Sequence, residues 1–420
     1  MSVPGFWSKG LNVAQPESAG GTEPETVLTE EASLLASLAE DLRVEPLAAE
    51  GTVLAQGAPL LRLRNPAGTV LAAPMAGRVG HLELGPGHRL RRVTLFREPA
   101  AGRHRHVLPG DAAAGPLREL LKASGLWSAF RSRPFGRMPG PEDVPAAIFA
   151  MALDTRPGAP DPVRAVAGAE EAFARGLAAL QCLASEQVFL CRAEGPARLP
   201  EPPGVRVVTA RALHPWGLAG FQIHRHFPAA IGRPVWDIAA EDVAAIGELL
   251  ETGMLRETRL VSVAGGALRD ARLVRTQAWA DLRGLAQGHL KPGRNVILSG
   301  SVLEGRESRW LLPRDRQATV ALPADPRRRT HWFLRALKGA SRPLPLIPTA
   351  AVEHALGGVV PAMPLLRALS AGDGEAAARL GALSLLEEDL ALADYVTCAE
   401  PRLSGLLGGL LQRIEAEEAA

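Results

Sequence analysis

Glu50-Gly51-Thr52-Val53-Leu54-Ala55-Gln56-Gly57-Ala58-Pro59-Leu60 sets short apolar runs between glycine turns. A second copy of the pattern follows in Ala73-Pro74-Met75-Ala76-Gly77-Arg78-Val79 and Leu84-Gly85-Pro86-Gly87-His88. Between them stands the tight turn Asn65-Pro66-Ala67-Gly68. Two similar strand–turn units joined by a hairpin predict a small flattened β-barrel over residues 44–106.

This barrel resembles the biotinyl/lipoyl carrier fold, the barrel-sandwich hybrid. A carrier presents a lysine at its hairpin tip, because an amine must form the amide with the cofactor. Here the tip offers Arg64, Asn65 and Pro66, and no lysine occurs between Lys9 and Lys122. A guanidinium stays protonated and is a poor nucleophile. The barrel is therefore expected to be a scaffold without a swinging arm.

Ahead of the barrel, residues 1–43 are acidic and read as a loop-rich, solvated segment or a docking surface. Behind it, residues 107–257 alternate strand and helix patterns. Ala146–Leu153 is an apolar run of strand length, Ala169–Leu183 has helical spacing, and Gln187–Cys191 and Val205–Thr209 read as strands. Glu241–Thr252 reads as a helix stopped by Gly253. That order implies a Rossmann-like α/β layer with a parallel sheet. Residues 258–325 run strand, strand, short helix, strand, compatible with an SLBB-like β-grasp. Residues 326–420 read as a C-terminal helical region. The predicted class is thus a multidomain α+β and α/β chain.

With 420 residues and 47% hydrophobic content the chain can build several cores. Lys plus Arg is 47 and Asp plus Glu 45, a balance that argues against a nucleic-acid partner. Cys182, Cys191 and Cys398 form no framework or CxxC cluster, which points to a reducing, cytoplasmic setting. No run nears the ~18–20 apolar residues of a bilayer span. The expectation is a soluble chain, or one peripheral on a membrane complex.

GxxxxGK[ST], GxGxxG after a strand, GxSxG, HExxH and an iron–sulfur cysteine set are all missing from the sequence. Histidines are the remaining candidates. Arg103-His104-Arg105-His106 reads as a solvated loop or interface. His224 and His226 are expected on one strand face. His214-Pro215-Trp216-Gly217-Leu218-Ala219-Gly220 has glycines that permit close backbone approach to a ligand or another loop. Trp127–Phe135 sets Arg131 and Arg133 beside aromatics, which suits an anionic or planar partner, or an arginine-rich surface turn.

Taken in order, several stretches resemble the A component of the bacterial sodium-translocating NADH:quinone oxidoreductases (Na+-NQR). They are Lys9-Gly10-Leu11-Asn12, the barrel halves, Trp127–Phe135, Ala152-Leu153-Asp154-Thr155-Arg156-Pro157, His214–Gly220, Asp270–Thr276, Ser299–Leu303 and Leu386–Leu392. The resemblance implies a peripheral subunit on the cytoplasmic side of the bacterial inner membrane. The six-subunit complex would couple NADH oxidation and ubiquinone reduction to sodium export. FAD, FMN and the 2Fe-2S cluster would sit on partner subunits, with no cofactor or metal on this chain. Quinone would bind near the contact with the membrane-embedded B component. The site or interface candidates are His214, Trp216, Gly217, Gly220, Arg131 and Arg133. Trp216 stands where the family has a small residue, and Phe221 and Gln222 also depart from its pattern. Two alternatives are a non-catalytic assembly protein and a cluster-less relative of the iron–sulfur subunit in the sister electron-transport complex.

Overall fold

The computed structural model describes residues 23–36, 42–64, 67–110, 113–323, 347 and 349–418. The tip residues Asn65 and Pro66, and the Lys9–Asn12 stretch, lie outside them.

The described chain opens with β1 (Glu25–Thr26), β2 (Glu31–Leu35), β3 (Val44–Pro46), β4 (Val53–Leu54), β5 (Pro59–Arg64), β6 (Ala67–Ala72), β7 (Gly77–Gly85) and β8 (Arg89–Arg97). Two small sheets result, ordered β2-β8-β7-β4 and β3-β5-β6. Alternation along them puts Leu61, Leu63, Val79, Val93 and Leu95 into a shared core. Within the acidic lead-in, expected as a solvated loop or a docking surface, the described stretch 31–35 is a paired strand. Its Ala32, Ser33 and Leu34 are buried, and β2 pairs antiparallel with β8.

The next unit holds α1 (Ala114–Ser124), β9 (Arg131–Arg133), β10 (Ala147–Ala152), α2 (Pro162–Val166), α3 (Glu170–Leu183), β11 (Gln187–Ala193), β12 (Val205–Ala210), α4 (Ala219–His226), β13 (Val235–Ala239) and α5 (Ala240–Thr252). Its sheet runs β12-β11-β10-β13-β9, parallel except for β9. All six residues of β10 are buried, as a central parallel strand covered on both faces requires. From β10 the chain moves outward to β11 and β12, then returns to β13 on the other side. The carboxyl ends of β10 and β13 therefore flank the switch point where such sheets open a crevice.

A third sheet combines β14 (Arg259–Ala264), β15 (Arg272–Thr276), α6 (Leu282–Ala286) on one face, β16 (Val296–Ser299), β17 (Arg306–Glu307) and β18 (Gln317–Ala321). Its order is β1-β15-β14-β18-β16-β17, with β1 added parallel to β15. The C-terminal helices are α7 (Ala350–Ala355), α8 (Ala362–Ala371), α9 (Gly374–Arg379), α10 (Ala391–Thr397) and α11 (Leu403–Glu418). A 3-10 turn, Glu387–Leu390, precedes α10. Their core accepts Leu218 and Phe221 from the α/β unit, so the two pack as one. Among the described residues no helix is long and apolar enough to cross a membrane.

Candidate functional site

Residues 211–218 leave the edge strand β12 and fold back over the end of β10. His214 is 5% exposed, and its Nδ1 lies 3.3 Å from the Thr155 hydroxyl. That hydroxyl accepts the Gly217 N–H at 2.9 Å, so its own proton is free for Nδ1. The His214 Nε2 is buried and has no hydrogen-bond partner in the structure. Burial pushes the imidazole down to about 4; Asp154 opposes this and Arg156 adds to it. At neutral pH His214 is uncharged.

The glycines of this loop are there for close approach. A Cβ on Gly217 would stand 2.4 Å from the Thr155 nitrogen, and one on Gly220 2.2 Å from Asp389 Oδ2. Trp216 is buried, its ring 5.0 Å beneath the Arg225 guanidinium and its carbonyl accepting from Gln222 at 2.7 Å. Gln222 thus braces the loop. His224 and His226 stand on α4, not on a strand, and His224 packs on Gly381.

The arginine motif is not the open cationic surface expected of it. Trp127 and Phe130 have no exposed surface, and Trp127 packs edge-on to Trp236 at 5.4 Å. Arg131 bonds Glu388 at 2.7 Å and Asp237 at 3.3 Å. Arg133, fully buried, donates to Asp237 at 2.8 Å and to the Ser384 carbonyl at 3.1 Å. Both positive charges are met by carboxylates, and two of the partners, Ser384 and Glu388, belong to the segment before α10. Arg103 likewise is tied down, donating to the Leu255 carbonyl at 2.6 Å, and His106 is buried.

A cleft of about 1080 Å³ opens at the switch point. Its lining includes Arg131, Asp154, Arg156, Gly217, Glu304 and Glu388; His214, Trp216, Gly220 and Arg133 are not part of it. Arg156 clamps Asp154 at 2.6 and 3.0 Å and lies 3.9 Å from Glu304. Burial raises the carboxyls of Glu304 and Asp315, and Asp315 accepts the Ser299 hydroxyl at 2.5 Å. Asp154, Ser299 and Glu388 lie inside sequence motifs that gave them no individual role; Asp237, Glu304 and Asp315 lie outside every such motif. Cys182 on α3, Cys191 on β11 and Cys398 after α10 are dispersed, two exposed and one buried. Among the described residues no group of three His, Cys, Asp or Glu could hold a metal ion.

Two family models match the chain. They are the NqrA second alpha/beta domain, over residues 112–255, and the NQRA C-terminal domain, over 260–309. A Pseudomonas aeruginosa protein, named as the A component of Na(+)-translocating NADH-quinone reductase, is 37% identical over 82% of this chain and 84% of its own. The chain belongs to the NqrA family of Na(+)-translocating NADH-quinone reductase subunits. The Pasteurella multocida member of that family is 32% identical over 97% of this chain and 99% of its own. The likeness therefore runs through the two N-terminal sheets and the C-terminal helices as well as the two regions that the family models match. Family membership makes the chain a subunit of a sodium-translocating oxidoreductase. A solved NAD+-reducing [NiFe]-hydrogenase covers 73% of this chain and 61% of its own, at 13% identity and a TM-score of 0.37, too loose for any inference.

Proposed function

We propose that this chain is a peripheral subunit on the cytoplasmic side of the inner membrane that shapes or closes the ubiquinone site of the complex. It does so at its contact with the membrane-embedded B component of a six-subunit assembly. NADH, FAD, FMN and the 2Fe-2S cluster belong to partner subunits. In this reading residues 1–43 lead in, 44–106 are a barrel-sandwich hybrid, 107–257 Rossmann-like, 258–325 SLBB-like and 326–420 helical.

The observation that carries the reading is His214. Gly217 of its loop lines the cleft, and directly behind it stands a neutral, buried imidazole whose Nε2 is unpartnered, a polar group that a quinone carbonyl oxygen could engage in a mostly apolar site. Trp216 supplies a flat apolar neighbour, and Gly217 and Gly220 keep the loop tight. Arg131 and Arg133 hold the loop's support rather than supply free charge.

The test is turnover by the assembled complex. His214→Ala should lower quinone reduction at least about tenfold, the scale of one lost hydrogen bond. NADH oxidation by an artificial acceptor should stay near wild type. Unchanged quinone reduction would refute the reading, and loss of both activities would mean failed assembly.

A further inference from the structure

The turn Glu387–Leu390 carries two adjacent carboxylates into opposite surroundings. Glu388 meets the Arg131 guanidinium, which holds its carboxyl far below the usual range despite burial. Asp389 has no exposed surface. Its Oδ2 accepts the Leu386 N–H at 2.7 Å, and its Oδ1 has no partner. The one cation within 4.0 Å of it, among the described residues, is Arg133, whose Nη2 stands 4.0 Å from Oδ2 and is itself without a hydrogen bond. The rest of that guanidinium is engaged by Asp237 and the Ser384 carbonyl. Gly220 of α4 closes the third side.

A carboxylate buried with one hydrogen bond and an incomplete ion pair is undercompensated, so the neutral acid is favoured. We propose that Asp389 is a proton-binding site whose occupancy sets how firmly the C-terminal helices seat on the α/β unit. The protonated acid needs no counter-charge at the seam. The ionised form does, and the nearest donor, Arg133 Nη2, stands 4.0 Å away, beyond hydrogen-bond reach, while Nη1 and Nε are held by Asp237 and Ser384.

The charged groups around Asp389 fit this role. From β9 come Arg133 and Arg131, both already paired, and from β13 comes Asp237, which competes for them. From its own turn, Glu388 adds negative charge. On α4 the titratable groups are His224, packed on Gly381, and His226. On the far side, Asp394 of α10 caps α11 through the Leu403 and Ser404 amides, Glu415 of α11 is held by Arg137, and Arg413 is exposed. Burial first, with Glu388 adding, pushes the Asp389 carboxyl up to about 7; Arg133 and Arg131 oppose. A folded value above the unfolded one means the stabilisation is complete at low pH and is lost as pH rises through about 7.

Hydrogen exchange on the purified full chain, corrected for intrinsic rates, tests this. Between about pH 6 and about pH 8, protection of α10 and α11 amides should fall roughly tenfold in wild type relative to Asp389→Asn. Parallel pH profiles in the two proteins overturn the proposal. If the variant does not fold, carboxyl-carbon NMR of wild type decides. An Asp389 midpoint above about 6 supports the site, and one at or below about 6 overturns it.

Discussion

Thr155 places both ends of the 214–217 loop with one hydroxyl, accepting from Gly217 and facing His214. Thr155→Val should cost about 1–3 kcal/mol in denaturant unfolding, because it strands the Gly217 amide and the His214 nitrogen. Thr155→Ser should restore most of it. Arg133 is a harsher case. Its removal leaves Asp389 without its nearest cation and Asp237 with only Arg131, so Arg133→Ala should cost about 3–5 kcal/mol by the same measurement. The sequence made Arg131 and Arg133 legible as unusual but not as paired. Arg131 is 257 positions from Glu388 and 106 from Asp237, and local patterning carries no information about contacts at that range.

Helices α3 and α5 cross so closely that Cβ atoms are excluded. One on Gly176 would stand 2.0 Å from the Val243 oxygen, and one on Gly247 1.8 Å from the Ala172 oxygen. Glycine within a helix ordinarily costs about 1 kcal/mol against alanine, so Gly→Ala should stabilise wherever space permits. Gly409, exposed on α11 with nothing within 4 Å, is such a place. We expect Gly409→Ala to raise the melting temperature and Gly247→Ala to lower it by more, the latter forcing the helices apart at about 1–3 kcal/mol. At this scale the sequence is most readable. The strand at 147–152 and the helices at 170–183 and 240–252 follow from apolar runs and 3.6-residue spacing. Helix α4 defies its local pattern, because Phe221-Gln222-Ile223-His224-Arg225-His226 alternates apolar and polar as a strand would. Its burial against the C-terminal helices overrides that period.

Across the whole molecule the buried titratable groups pull in opposite directions with pH. His214, with a folded value of about 4 against about 6.5 unfolded, loses stability as pH falls through that window. Asp389 gains over the same window, so the two slopes offset each other. His214→Gln should therefore unmask a stability that falls more steeply than wild type's as pH rises from about 4 to about 6.5. Urea unfolding at a series of pH values measures it, and an unchanged slope would show that His214 does not titrate across that range. The mixed α/β character with several sheets was legible from the sequence, but the tie between those sheets was not. The lead-in strands β1 and β2 are too short and acidic to register as strands, and they exist because two distant sheets have edges to receive them.

Strand β1 has consequences in time. Glu25 pairs with Val274, about 250 residues later in synthesis. At a translation rate of about 5–20 residues per second, β1 emerges tens of seconds before its partner exists. Meanwhile β2, only five residues further on, can already join β8 on the nascent chain. The sheet of β2, β8, β7 and β4 can thus form early with a loose thread at its front, and that thread is caught only when the third sheet appears. Ribosome-stalled chains ending before residue 272 should be cut by protease at residues 23–27, and released full-length protein should resist.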